Sequence, residues 1–550
     1  MRHLSAGLSG CCCGDRMIKV FIDKKSIDVE AGTTILQAAQ QLDIPIPTMC
    51  HLPEFHNTTS CMICTVQCGD KMMPACSTRV FDGMEIETRN EAVVEFRKTT
   101  VELLFGEHVG ECVAPCELAC PAHLQIPLMM RQIETDDMSA AIKTIKRDIA
   151  LPAVLGYICS APCENACRRN FIDEAASICM LKRSVALDDL DQAESYTPPI
   201  QAATGKRVAI IGAGPTGLAT AFYSALSGHS CTIIDRGEEP GGMLRYAIQE
   251  GDLPRKVLDG EIQLIKDMGV RFSQGVNVGT DISFEEILNE YDAVAVSIGK
   301  YDPEQGVLEG LLNGRRGLKI NPKTFETNLP GVFAGGDCVH PRQSTVRSVA
   351  DGKQIANSMD EYLARGTVSA TSARVRSKLG KLGIDELEAF LSIAAPRGEH
   401  EHKEPSESIS HDEAVELSSV CMQCGCHSAD YCQLRSLADD YGANDQKYKP
   451  EVRPDVQRNY THPHVIYEPG KCIKCGLCVK ITQARSEEFG LTFIGRGFDV
   501  QVGVPFNETL QAGLTHTAQE CVSACPTGAI AMKAKPDSIG FKLPESSGGD

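Results

Sequence analysis

The stretch Lys206-Arg-Val-Ala-Ile-Ile-Gly-Ala-Gly-Pro-Thr-Gly217 sets the fold of the middle of this chain. A short apolar run leads into Gly212-x-Gly214-x-x-Gly217, and a helical run, Leu218 to Leu226, follows at once. Gly212 permits a tight turn, Gly214 lets a pyrophosphate approach the backbone, and Gly217 lets helix and strand pack closely. Pro215 and Thr216 open the helix, whose positive end faces the phosphates. Three glycines alone are a weak signal. Here a second apolar strand, Ser230-Cys-Thr-Ile-Ile-Asp235, ends in an acid 18 residues after Gly217, placed to hold a ribose hydroxyl. Strand, turn, helix, strand and acid in this order predict a dinucleotide site.

The 550 residues predict several domains, and a hydrophobic fraction of 42% suits globular folding. Lys and Arg number 54 against 73 Asp and Glu, a net charge of −19, which argues against nucleic acid or an anionic membrane as partner. No apolar run approaches the ~20 residues of a membrane span, and Met1 to Met17 lacks the apolar core of a secretory signal. The expectation is a soluble, cytoplasmic protein, with residues 1–16 an extension before a natural start at Met17. The 26 cysteines, in a large chain without an export signal, point to metal rather than disulfides. They fall in tight groups, whereas Cys231, on a strand, and Cys338, after a glycine loop, read as small buried residues.

Residues 17–95 read as a small β-rich domain: a hairpin from Met17 and Lys25, then a helical run after Gly32 with a Thr near its start. Cys50, Cys61, Cys64 and Cys76 follow, four thiolates suited to a two-iron cluster wrapped by a loop, with Cys68 outside the pattern. With His51-Leu-Pro and Pro74-Ala-Cys76, this resembles the β-grasp-like [2Fe–2S] ferredoxin domain of the complex I large iron–sulfur subunit, iron-only hydrogenases and formate dehydrogenases. A structural zinc site is the alternative there.

Residues 96–200 carry His108, Cys112, Cys116 and Cys120, then Cys159, Cys163, Cys167 and Cys179, with a helical pattern over 126–149 between them. Seven thiolates and one imidazole supply the eight ligands of two [4Fe–4S] clusters, with a surface histidine as the bland reading of His108. Cys120-Pro-Ala-His and Ala161-Pro-Cys-Glu-Asn-Ala-Cys167 resemble the helical two-cluster domain of the glutamate synthase small subunit and dihydropyrimidine dehydrogenase. That resemblance implies one cluster on His108, Cys112, Cys116 and Cys167, and another on Cys120, Cys159, Cys163 and Cys179. Residues 201–365 continue the same likeness as a Rossmann-like FAD domain. Gly241, Gly242, Met243 and Leu244, in Glu239-Pro-Gly-Gly-Met-Leu-Arg-Tyr246, resemble residues lining the flavin ring. Gly336 and Asp337 resemble the group holding the ribityl and phosphate part, and Ser344-Thr345 opens a helix aimed at the flavin. FAD is therefore expected rather than NAD. Relatives place a second, nicotinamide-binding glycine turn between the two FAD halves; here only some thirty residues separate Lys300 from Gly331, and no second fingerprint appears.

Residues 366–415 read as a helix over 372–391 and a charged linker containing His400 and His402. In 416–445, Cys421, Cys424, Cys426 and Cys432 fall within twelve residues, a strong metal motif that leaves [4Fe–4S] and zinc both open. Residues 446–540, with Cys472, Cys475, Cys478, Cys521 and Cys525-Pro, resemble the bacterial-ferredoxin-like segment of formate dehydrogenases and complex I, followed by a tail over 541–550. The fourth position of the first run is Thr482, and the second run has Thr515 and Ala518 where cysteines are expected. One [4Fe–4S] on Cys472, Cys475, Cys478 and Cys525 is therefore expected, with Cys521 left over.

The fold class is thus multidomain α/β and α+β, with one [2Fe–2S], three or four [4Fe–4S] and FAD. The mosaic of resemblances implies an electron-transfer subunit of a multisubunit oxidoreductase. Its partners would be other redox subunits, among them an FMN/NADH-binding flavoprotein and ferredoxin, in an NAD(P)H- or ferredoxin-linked reaction open to electron bifurcation. A self-contained flavin oxidoreductase, reducing a small substrate with electrons from the clusters, is the alternative. No catalytic acid or base can be named from the sequence, and fold analogy does not supply a substrate.

Overall fold

The computed structural model describes residues 17–301, 308, 310–315, 317–370, 374–397 and 409–533. The extension over 1–16, the linker histidines and the tail over 541–550 lie outside the described residues. The chain forms two compact units, and one is inserted into the other in sequence. The first takes the chain up to Cys112, Arg374–Ala389 and everything from Cys426; the second takes Val113–Ala373 and Phe390–Gly425.

In the first unit, Ile18, Val20 and Ile22 alternate along strand Met17–Ile22 and turn one face into the core. That strand pairs antiparallel with Lys25–Glu30 and parallel with Met84–Ile86. Asp23 and Lys24 take φ of 47° and 70°, the left-handed pair that a two-residue hairpin needs. Helix Ile35–Gln40 starts on a capping box: Thr34 Oγ1 accepts from Gln37 N at 3.2 Å, and Gln37 Oε1 accepts from Thr34 N at 2.9 Å. Hairpin Thr65–Cys68 with Lys71–Pro74 and helix Glu91–Glu107 complete this half. Towards the carboxy terminus, strand Val465–Tyr467 pairs antiparallel with Ile530–Met532, and helices Leu477–Ala484 and Ala518–Ala524 lie between them in sequence.

The threonines that stand where cysteines were expected are hydrogen-bonded. Thr482 Oγ1 accepts from Leu491 N at 3.0 Å, and Glu487, its side chain fully buried, accepts from the amides of Thr515, His516 and Thr517 and from Thr517 Oγ1. Burial alone would raise the Glu487 carboxyl, yet these donors hold it down at about 2. A hydrogen-bonded carboxylate thus fills this part of the fold.

The second unit begins with short helices: Pro115–Ala119, Ile126–Glu134, Met138–Asp148, Pro152–Ile158, Pro162–Asn165 and Ile178–Leu190. They lead into a five-stranded parallel sheet in the order Val332–Ala334, Ala293–Val296, Arg207–Ile211, Ser230–Asp235, Arg271–Gln274. Every residue of Ala293–Val296 is buried, as a parallel strand covered on both faces requires. Helices Pro215–Leu226 and Thr345–Arg365 pack where Gly352 lacks a side chain: a Cβ there would sit 2.4 Å from the Thr216 carbonyl oxygen. Glu261, 1% exposed, ties the helices to the sheet domain by accepting from Ala153 N and Val154 N at 2.7 and 2.9 Å. Burial, partly offset by those two amides, raises its carboxyl to about 7.

Two sequence expectations shift. The helical pattern over 126–149 is two helices, broken where Asp136 takes φ of 61° and Asp137 caps the second by accepting from Ala140 N. The helix expected over 372–391 is confined to Ile384–Leu391. Gly380 (φ 72°) interrupts the run, and residues before it spend their amides elsewhere, Val375 on Asp439 and Ser377 on the Cys112 sulfur.

Candidate functional site

The glycine-rich turn is shaped by close backbone contacts. Gly212 takes φ of 110°, and a Cβ there would lie 2.4 Å from the Ser297 carbonyl oxygen, so strand Ala293–Val296 can close on the turn only if this residue is glycine. Gly217 is as constrained, since its Cβ would meet Gly212 O at 1.9 Å. A Cβ on Gly214 meets nothing within 4 Å. That open face lies at the N-cap of helix Pro215–Leu226, where a pyrophosphate is favoured by the helix dipole. Gly241 N donates to Ala213 O at 2.9 Å, and Gly242, at φ 52°, crosses Gly214 so closely that its Cβ would sit 2.8 Å from Gly214 Cα. Behind it, Leu244 is buried while Met243 is 62% exposed.

Asp235 already holds two backbone amides: its oxygens accept from Ala213 N at 2.6 Å and Gly237 N at 2.7 Å. It therefore braces the turn, and a ribose hydroxyl would share oxygens already in use. Gly336 comes against Thr216, and its amide donates to Asp351 Oδ2 at 3.2 Å. Asp337 lies in the short turn Gly336–Cys338, with Ser344 as N-cap and Thr345 as first residue of the long helix that follows. Asp351 and Gln343 were not anticipated: Gln343 Nε2 donates to Asp351 at 2.9 Å, and both bracket Gly336. Burial raises the Asp351 carboxyl despite these donors. The clue in the sequence was an acid inside Val349-Ala-Asp-Gly352, the small-residue face of a helix. The residues present fit FAD.

Among the described residues, the clustered cysteines gather in five sets. In the first unit, Cys61 lies within electrostatic reach of Cys50, and Cys64 of Cys76 and Cys61; in each of the pairs Cys50–Cys61 and Cys64–Cys76 one thiol is held below its ordinary value by its neighbour and the other is pushed above it. Cys472, Cys475, Cys478 and Cys525 line one cavity with Tyr467 and Ile530, and Cys521 is buried outside that lining. Cys432 lies within electrostatic reach of Cys426, Cys112 and Cys525, and Cys475 within reach of Cys50. In the second unit, Cys179 lies within electrostatic reach of Cys159 and Cys163, and Cys120 within reach of Cys159. Lys182, 3% exposed, reaches Cys179 Sγ at 3.9 Å and donates to Leu155 O at 3.2 Å. Burial would strip its proton, but the surrounding Cys179, Cys159, Cys163 and Cys120 thiolates more than reverse this.

The fifth set is not the one the resemblance implies. Cys116 and Cys167 line a cavity with Cys421 and Cys424, walled by Ile126 and Met130. His108 and Cys112, expected beside them, belong to the other unit, and the twelve-residue motif is likewise divided, since Cys426 and Cys432 also belong there. The four cysteines expected to share one metal therefore do not form one set. Burial, reinforced by Cys421, Cys424 and Cys167, drives the Cys116 thiol well up. Four thiolates can coexist in such a dry site only around a cation or a cluster. Among the described residues no group of three or more His, Cys, Asp or Glu is placed to hold a single metal ion. Cys231 and Cys338 are buried as expected, Cys338 donating to Gly335 O at 3.1 Å.

No described helix is long and apolar enough to cross a membrane. Residues 15–91 match the 2Fe-2S iron-sulfur cluster binding domain family, residues 107–194 the 4Fe-4S domain II of dihydropyrimidine dehydrogenase, and residues 179–356 the pyridine nucleotide-disulphide oxidoreductases. The chain is 35% identical over 240 residues to the NADPH-Fe(3+) oxidoreductase subunit beta of Geobacter sulfurreducens, covering 42% of this chain and 35% of that one. It is 37% identical over 240 residues to the NADP(+)-dependent formate dehydrogenase subunit beta of Moorella thermoacetica, covering 40% and 32%. With the glutamate synthase [NADPH] small chain of Mycobacterium tuberculosis it shares 32% over 190 residues, covering 34% and 39%. The match thus spans between about a third and two fifths of each relative's length. Through residues 15–356 the chain thus matches, in order, the models of a 2Fe-2S domain, of a 4Fe-4S domain of the dihydropyrimidine dehydrogenase type and of the pyridine nucleotide-disulphide oxidoreductases.

Proposed function

We propose that this chain is an iron–sulfur and FAD electron-transfer subunit of a multisubunit oxidoreductase, with its nicotinamide site on a partner. The observation that carries this is the direct parallel pairing of Ala293–Val296 with Val332–Ala334: the two halves of the flavin fold adjoin in one sheet, with 35 residues between them in sequence. A strand–turn–helix unit alone takes about 30 residues, and a nicotinamide domain takes several such units. The names of the relatives, subunits of an NADPH-Fe(3+) oxidoreductase and of a formate dehydrogenase, support a place in a complex.

Gly212, Gly214 and Gly217 would cradle the FAD pyrophosphate, Asp235 would fix the turn, and Gly241 to Leu244 would bound the ring. Asp337, Ser344 and Thr345 would meet the ribityl and phosphate part. Bound FAD supplies the exchange between paired and single electrons, which clusters alone cannot make. The cysteine sets would hold one [2Fe–2S] and four [4Fe–4S]. In the first unit the electrostatic contacts from Cys50 to Cys475 and from Cys525 to Cys432 support a reading in which three of these would lie in series. A flavoprotein carrying FMN and NADH, or a ferredoxin, would be the exchange partner, and bifurcation at the flavin is compatible with this arrangement.

The test is anaerobic purification of the chain, with iron and flavin content and titration by NADH and NADPH. About 18 irons and one FAD, bleached by dithionite and not by either nucleotide, are expected. Rapid bleaching by a nucleotide alone would overturn the reading in favour of a self-contained enzyme.

A further inference from the structure

The flavin-bearing unit enters the sequence after Cys112 and leaves it before Cys426. Both borders fall inside cysteine motifs, Cys112-x3-Cys116 and Cys424-x-Cys426. At the second border Cys426 N donates to Cys112 O at 3.4 Å within the first unit, so the two loose ends of that unit meet. Cys426 Sγ lies so close to Gly528 that a Cβ there would be 2.2 Å from it. Ser377 N donates to Cys112 Sγ at 3.3 Å, while the carbonyl of His108 is held by Ser377 Oγ and by Lys449 Nζ. The His108 ring is 7% exposed, and its Nδ1 has no hydrogen-bond partner despite being buried. An unpartnered buried imidazole nitrogen is costly unless a metal or a proton donor meets it.

We infer that the insertion divides these cysteines between two clusters: Cys116, Cys167, Cys421 and Cys424 hold one inside the flavin unit, and Cys112, Cys426 and Cys432 with His108 hold another in the first unit. Each cluster is closed by residues from both ends of the insertion, so neither can assemble until the whole of the chain between has folded. The two ligand sets are also linked by the peptide itself. Cys424 and Cys426 have one residue between them, and chain geometry keeps their Cα atoms within about 7 Å of each other whatever else moves. Replacing one thiolate by neutral imidazole raises the potential of an iron–sulfur centre, so His108 would raise the potential of the first-unit cluster.

This rests on the iron–sulfur reading above, and the test separates the two. The full chain is purified anaerobically as wild type, Cys424→Ser, Cys167→Ser, Cys426→Ser and Cys432→Ser, and each is examined for iron, zinc and the reduced-state EPR spectrum. Cys424→Ser and Cys167→Ser are expected to lose or alter the same signal, Cys426→Ser and Cys432→Ser a different one, each with up to about four irons lost. His108→Cys retains its iron and moves only the signal that Cys426→Ser removes, which keeps the proposal testable if a serine variant fails to fold. If Cys424→Ser and Cys426→Ser change one and the same signal, or both release a single zinc, the inference is wrong even though the wild type carries its clusters. A wild type without iron would instead sink the parent reading.

Discussion

Replacing Lys182 by methionine removes one buried positive charge and little volume from beside the Cys120, Cys159, Cys163 and Cys179 set. The ammonium lies 3.9 Å from Cys179 Sγ and is 3% exposed, so solvent screens it little. A unit charge ~6 Å from an added electron contributes about 3 kcal/mol at an effective dielectric of 20. For a one-electron couple at 59 mV per tenfold, that is on the order of 100 mV. Lys182→Met should therefore lower the potential of this cluster by that order, and Lys182→Arg should keep most of it. The lost hydrogen bond to Leu155 O would cost about 1 kcal/mol of stability without a shift in potential. The assay is an anaerobic redox titration followed by EPR, with iron content measured alongside. An unchanged potential with iron retained would refute the electrostatic role of Lys182, and a shift in another cluster's signal would refute the ligand grouping.

Gly214→Ala adds a methyl that touches no protein atom at a permitted φ of −78°, so it should weaken FAD binding at least about tenfold, as read by flavin fluorescence, while the Tm of the flavin-free protein stays put. Gly212→Ala, by contrast, meets Ser297 O at 2.4 Å and should destabilise the flavin-free protein itself by about 2 kcal/mol or more in a denaturant titration. Cys521→Ala should leave iron content and EPR spectrum unchanged, since Cys521 is buried outside the cavity of Cys472, Cys475, Cys478 and Cys525; loss of iron would place it among the ligands. Glu487, held at about 2, is depressed below its ordinary value, so its stabilisation is full above about pH 4.5 and is lost as pH falls towards 2. It amounts to about 3 kcal/mol at most. Glu487→Gln should flatten the acid limb of an unfolding series, and a limb as steep as wild type would contradict this.

The candidate donors were legible in the sequence because thiolate motifs are local: Cys472-x2-Cys475-x2-Cys478 and Cys61-x2-Cys64 declare themselves within a few residues. The glycine-rich turn was equally legible, since Gly212, Gly214 and Gly217 answer to constraints met within one strand, one turn and one helix. Threonine rather than cysteine at 482 and 515 was also plain in the sequence, though not the buried Glu487 that accepts from Thr515 and Thr517. Grouping was different. Cys421, Cys424, Cys426 and Cys432 look like one site because they are adjacent in sequence, yet Cys421 faces Cys116, 305 residues away, while Cys426 meets Cys112 across the inserted unit. Spacing along a chain reports which donors are available; which of them share a cavity depends on which distant segments close into one core. That closure is a long-range event, and only the tertiary structure decided it.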